Sequence, residues 1–162
     1  STNSAASRPA CCRSTATRSP VFSPMLDPLS WARAHLEVPF RDHGRDRRGW
    51  DCWGLIYCAY LDLYDLQLPS YTDVYSGTSL RHRETLATAI EVGRRVWRPV
   101  RHSEPGDVAV LYRGGEPMHV GLVCHVEERR SLLCHAERGA GTTIDPIGRG
   151  DPQVENVYRY VG

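Results

Sequence analysis

Apolar residues recur at helical spacing through the first half of the chain and alternate with polar ones through the second. Asp27-Pro28 reads as a helix start, a capping carboxylate followed by proline at the first helical position. Leu29, Ala32 and Leu36 continue at helical spacing until Pro39 ends the run. Over 51–66 two apolar stripes run side by side: Cys52, Leu55, Ile56, Ala59 and Leu63, then Trp53, Tyr57, Tyr60 and Tyr64. A helix apolar on two faces is predicted to lie at the centre of a fold. Leu68-Pro69-Ser70-Tyr71 closes it, and a third helix is predicted over 79–92 with Leu86, Ala89 and Ile90 inward.

From residue 96 the period becomes two. Strands are predicted near 96–100, over 107–112, 118–126 and 131–136, and over 157–161. Gly114-Gly115 reads as a hairpin turn and 127–130 as a charged turn. Helices first and antiparallel strands afterwards predict an α+β fold, not a doubly wound parallel one. Residues 1–24 are rich in Ser, Thr, Ala and Pro and show no hydrophobic period, so a disordered or loosely docked arm is expected there. One domain is expected over 25–162.

Composition narrows the partners. With 162 residues, 41% of them hydrophobic, the chain suffices for one domain with a core that needs no disulfide staples. The formal charge of +1 gives no global basic field, which argues against nucleic acid. An arginine cluster over 41–48 lacks the interleaved aromatics of a single-strand binder. No apolar run approaches the ~18 residues of a membrane helix, so no membrane insertion is expected. Six cysteines are too few for a disulfide framework. The first residues contain no continuous apolar segment of the secretory type, so synthesis in a reducing cytoplasm is expected.

Three residues have the types and spacing of nucleophilic catalysis. Cys52 opens the central helix, where unpaired N–H groups and the macrodipole favour an anion, which predicts a lowered thiol pKa. The competing reading is a small buried hydrophobe. His119 lies on a strand, and Gly121 on the same face would leave room for another backbone, such as the helix end carrying Cys52. If Val126 faces Leu132, then Cys124 faces Cys134 and Val123 faces His135. His135 then shares a face with His119, while both cysteines lie on the other. A thiol, a base and an orienting group make a nucleophilic triad. Zinc is a rival, because Cys124-His125 and Cys134-His135 repeat a ligand dipeptide. Adjacent strand residues point to opposite faces, however, so each face would receive two ligands; no metal or cofactor is expected.

Four segments carry a resemblance. Asp51-Cys52-Trp53-Gly54-Leu55 resembles the Asp-Cys-x-Gly-Leu signature of the NlpC-type cysteine peptidases of bacterial cell walls. Pro105-Gly106-Asp107-Val108, His119-Val120-Gly121-Leu122 and Leu133-Cys134-His135-Ala136 resemble that family's strand motifs, in the same order. The resemblance implies a papain-like fold and hydrolysis of peptidoglycan stem peptides, typically between γ-D-glutamyl and a diamino acid. It implies Cys52 as nucleophile, His119 as base and then acid, His135 as orienting group, and the N–H of Cys52 as an oxyanion donor. Trp53, with Leu68-Pro69-Ser70-Tyr71, is similar to the branch found in tailed phages and gene transfer agents. That implies other tail-tip proteins as partners and a virion tail acting in the host periplasm. Phe40 stands where many members carry a Tyr that reaches the active site, and Trp53 where Ser is common. Phe40, Arg45, Trp50, Asp51 and Trp53 are therefore expected at the substrate pocket, Arg45 as a partner for substrate carboxylates. The alternative is a catalytically silent structural or adaptor domain of a tail tip. Phe40 argues mildly for it, and intact Cys52, His119 and His135 argue against it.

Overall fold

Asp27 caps the first helix, α1 (Pro28–Arg33), accepting the N–H groups of Leu29 and Ser30 at 3.0 Å each. The structure, a computed structural model, describes residues 26–72, 95–113, 116–128, 130–148 and 153–162. The arm, the 79–92 helix and the Gly114-Gly115 turn expected from the sequence lie outside them. α1 is shorter than its spacing predicts, and Leu36 is exposed rather than inward. Trp31 takes the inward place. Its ring stacks on His35 at 4.3 Å and on Trp50 at 5.7 Å, and its indole N–H donates to Asp62 at 2.9 Å.

A small antiparallel hairpin, β1 (Arg45–Asp46) with β2 (Gly49–Trp50), leads directly into the central helix α2 (Cys52–Tyr64). Every residue from Cys52 to Tyr60 is buried, as two apolar stripes require, but the second stripe stops there, because Tyr64 is exposed. Asp65 closes the helix in a left-handed conformation (φ 53°).

α2 packs on a six-stranded sheet of order β3-β8-β4-β5-β6-β7, with every neighbouring pair antiparallel. The strands are β3 (Trp97–Val100), β4 (Val108–Arg113), β5 (Glu116–Val126), β6 (Arg130–Glu137), β7 (Gly141–Gly148) and β8 (Val154–Tyr160). The fold is α+β, a helix followed by an antiparallel sheet. Val108, Val110, Val120, Leu122, Cys134 and Ala136 form the sheet's contribution to the core around α2. Ala109, Leu111, Val123 and Leu133 alternate with them and form a second, smaller cluster.

Two departures from the sequence reading bear on the site. Val123 pairs with Leu133 and Leu122 with Cys134, while Val126 pairs with Ser131, because the ladder skips Cys124 as a bulge. The register of β5 on β6 is therefore not the one expected, in which Val123 faced His135. The face assignment nevertheless holds: His119 and His135 share one face, and Cys124 and Cys134 lie in the core around α2. The second departure is β7, where no strand was expected. Its Gly-Thr-Thr-Ile-Asp-Pro-Ile-Gly sequence reads as turn material, yet an edge strand tolerates Pro146 because one side of it needs no ladder donors.

Asp107 ties the sheet together. Buried to 3% exposure, it accepts two bonds from the Arg159 guanidinium at 2.9 and 3.0 Å and one from the Glu104 N–H at 2.7 Å. The pairing pushes the Arg159 pKa up, chiefly through the Asp107 hydrogen bond. Asp107→Ala removes the buried acceptor of Arg159 and of the Glu104 N–H while leaving the guanidinium Glu104 and the His102 carbonyl, and should destabilise the fold by about 2 kcal/mol, read from the urea midpoint. An unchanged midpoint would show that the pair contributes nothing.

Candidate active site

The site is built on Asp51, the N-cap of α2, which is 1% exposed. Its Oδ1 accepts the N–H of Gly54 at 2.7 Å and Arg45 Nη1 at 2.8 Å, and its Oδ2 accepts the N–H of His43 at 3.0 Å. Arg45 donates its remaining edge twice to the Ser70 carbonyl, at 3.1 and 2.8 Å. One carboxylate and one guanidinium thus bind the 41–50 loop, the helix start and the segment after the helix into one piece. Gly54 makes the approach possible, since a Cβ there would run into the Gly44 carbonyl.

Cys52 follows as the first helical residue, 9% exposed, the least enclosed of the four described cysteines. The N–H groups of Val120 and Trp53 face its sulfur and favour the thiolate slightly. Pairing between β5 and β6 stops at Leu122 and Cys134 although both strands continue, and the sulfur meets β5 at Val120, just beyond that point. The thiol pKa is raised, not lowered as the helix position predicted. Burial pushes it up to about 12, and the Asp51 carboxylate adds to the effect. The macrodipole, worth about 1 kcal/mol, is outweighed by desolvation.

His119 precedes Val120 and is 8% exposed. Its Nε2 lies 2.8 Å from Nδ1 of His135, itself 7% exposed, and the rings meet edge to face with centroids 5.0 Å apart. His135 Nε2 lies 2.8 Å from Asp145 Oδ2. Gly121 was expected to make room for the helix end, but the neighbour it accommodates is a side chain. A Cβ there would strike the Leu133 side chain.

The structure therefore brings Cys52, His119 and His135 to one region and adds Asp145, which the sequence reading missed because it lies on β7. The five residues expected at the pocket have their groups engaged within the chain. Trp50 is fully buried and donates to Thr142 Oγ1 at 2.8 Å. Trp53 donates to the Pro69 carbonyl at 2.9 Å and packs on Tyr71. Asp51 and Arg45 hold each other. Phe40 is half-buried beneath the Arg138 guanidinium, 4.9 Å from its ring centre. For metals, ligand atoms of His119, His135 and Glu137 lie within 4.8 Å of one another. His125 instead lies half-exposed beside Glu127, away from the buried Cys124 and Cys134 of the zinc reading.

A model of the NlpC/P60 family matches residues 37–153. Among solved structures, the NlpC/p60 domain of the peptidoglycan hydrolase SagA superposes with a TM-score of 0.52 at 14% identity, over 82% of this chain and 95% of that one. An NlpC/P60 family protein from Bacillus cereus gives 0.52 at 16% identity, over 84% of this chain and 40% of that one. A lipoprotein-like NLP/P60 protein from Staphylococcus aureus gives 0.51 at 18% identity, over 83% and 40%. The chain thus spans less than half of the latter two. No curated protein sequence matches it. At these identities the likeness establishes the fold, which is papain-like.

The packing at the helix start generates a test. Gly54→Ala must displace the Gly44 backbone and disturb the Arg45–Asp51 pair beside it. It should cost about 3 kcal/mol of stability by chemical denaturation. A variant as stable as the parent would show that the loop yields freely.

Proposed function

The chain belongs to the NlpC/P60 family, and we propose that it is a cysteine peptidase hydrolysing peptidoglycan stem peptides, at the bond between γ-D-glutamyl and a diamino acid. The observation that carries this reading is the 2.8 Å bond between His119 and His135, beside a sulfur that faces the N–H of the next residue, Val120.

A buried thiol raised to about 12 is almost wholly protonated at rest. At pH 7 its unaided thiolate fraction is about 10⁻⁵. Attack therefore needs a base. His119 Nε2 is engaged by His135, so His119 takes the thiol proton through Nδ1. The sulfur adds to the scissile carbonyl carbon. The N–H of Cys52, at the first helical position where no intrahelical acceptor exists, stabilises the oxyanion. The amine leaves with the proton from His119, and water then hydrolyses the thioester with His119 as base. The resemblance of Trp53 and Leu68-Pro69-Ser70-Tyr71 to the tailed-phage branch supports a narrower reading: that the domain serves a phage-like tail tip, among other tail proteins, and acts in the host periplasm. Proteomics of particles released by the producing cell tests that part.

Cys52→Ser should retain the fold and lose at least about three orders of magnitude in product formation from purified peptidoglycan, measured by mass spectrometry. His119→Ala should lose about as much, and His135→Ala less. Removing the base should also move the alkylation midpoint of Cys52 upward. The sign follows from burial: desolvation opposes the thiolate more than the Val120 and Trp53 N–H groups and Arg45 favour it, and proton transfer to His119 supplies the rest. Undiminished hydrolysis by the Ser variant overturns the assignment. A wild-type protein inert on peptidoglycan favours the silent structural domain instead.

A further inference from the structure

We propose that Asp145 is a positioning residue that sets the tautomers of both histidines and so presents an unprotonated nitrogen of His119 for the Cys52 proton. The proposal rests on the peptidase reading above.

The argument is one of proton counting along a line of bonds. Asp145 Oδ2 lies 2.8 Å from His135 Nε2 and also accepts the Thr143 hydroxyl at 3.0 Å. Burial raises the Asp145 pKa, but the bonds from His135 and Thr143 outweigh it and hold it below the ordinary carboxylate value. The group is thus an anion and can only accept. His135 must carry its proton on Nε2, which leaves a lone pair on Nδ1. At 2.8 Å from that lone pair, His119 Nε2 must be the donor. Neutral His119 then has its lone pair on Nδ1, the form a general base requires.

The reverse order fails at one end. A proton on His135 Nδ1 would turn the Nε2 lone pair toward the Asp145 carboxylate, two acceptors at 2.8 Å, and the Thr143 hydroxyl, 3.3 Å from Nε2, has its proton on the shorter bond to Asp145. Glu137 is the other carboxylate facing His135. Its Oε1 is 3.6 Å from Nδ1, beyond hydrogen-bond distance, whereas His119 is within it. The charged groups acting on Cys52 itself are Asp51, which raises its pKa, and Arg45, which lowers it.

Two readouts independent of hydrolysis test this. The first is ¹⁵N NMR of the histidine ring nitrogens in the intact protein. Wild type should show His135 and His119 protonated at Nε2, and Asp145→Ala should shift both toward mixed tautomers. The second is the pH profile of Cys52 alkylation by iodoacetamide. Asp145→Ala should slow alkylation at pH 7 by about tenfold or more and move the midpoint upward, because imidazolium loses its stabilising anion. Asp145→Asn keeps an acceptor oxygen without the charge and should fall between. A folded Asp145→Ala protein with unchanged tautomers and a superimposable pH profile overturns the proposal. So does a wild-type His135 protonated at Nδ1. If wild type alkylates as expected but leaves peptidoglycan intact, the peptidase reading fails and the Asp145 assignment stands.

Discussion

The buried carboxylate of Asp51 holds the start of α2, and the placement of Cys52 depends on it. It caps the helix through Gly54, fixes the preceding loop through the His43 N–H, and pairs with Arg45, which reaches on to Ser70. A buried charge is tolerable only when its lone pairs are filled, and here three donors fill them. The sulfur one residue later inherits that rigidity. It lies against β5 at Val120, beyond the last β5–β6 pair.

That anchor has an electrostatic consequence. The carboxylate that fixes Cys52 also opposes its ionisation, and burial opposes it more. A helix start alone does not make a reactive thiol, since the macrodipole is a small contribution against desolvation. Reactivity must come from proton transfer across the site, and the His119–His135–Asp145 line has the bonds to support one. The scaffold and the proton line are therefore separate devices. Asp51 and Arg45 set position, and β5, β6 and β7 each supply one member of the line.

Much of this was legible in the sequence. The double stripe from Cys52 to Leu63 announced a buried central helix, and alternation from residue 96 announced the sheet. The pairing of His119 with His135 on one face followed from strand parity, which survived a wrong register because the bulge at Cys124 adds a second one-residue offset to the one at the turn, where Val126 pairs with Ser131 instead of Leu132, and an even offset keeps the faces. Asp51, Gly54 and Asp107 stood out as motif positions, but their physical work is capping, close approach and ion pairing. Arg45 illustrates the limit: an arginine near a thiol reads as a substrate contact until its partners on Gly44, Asp51 and Ser70 are seen. Asp145 was hidden because Asp-Pro between threonines and glycine signals a turn, and only the edge position of β7 lets that sequence be a strand.

The central claim is that Cys52 carries the acyl group during turnover. Acid-quenching the wild-type protein during digestion of a stem peptide, followed by peptide mapping, tests this directly. A thioester adduct of the glutamyl side of the substrate on the Cys52 peptide, absent after hydroxylamine treatment, is the expected result. Continued hydrolysis with no adduct at Cys52, or an adduct at another cysteine, would contradict it.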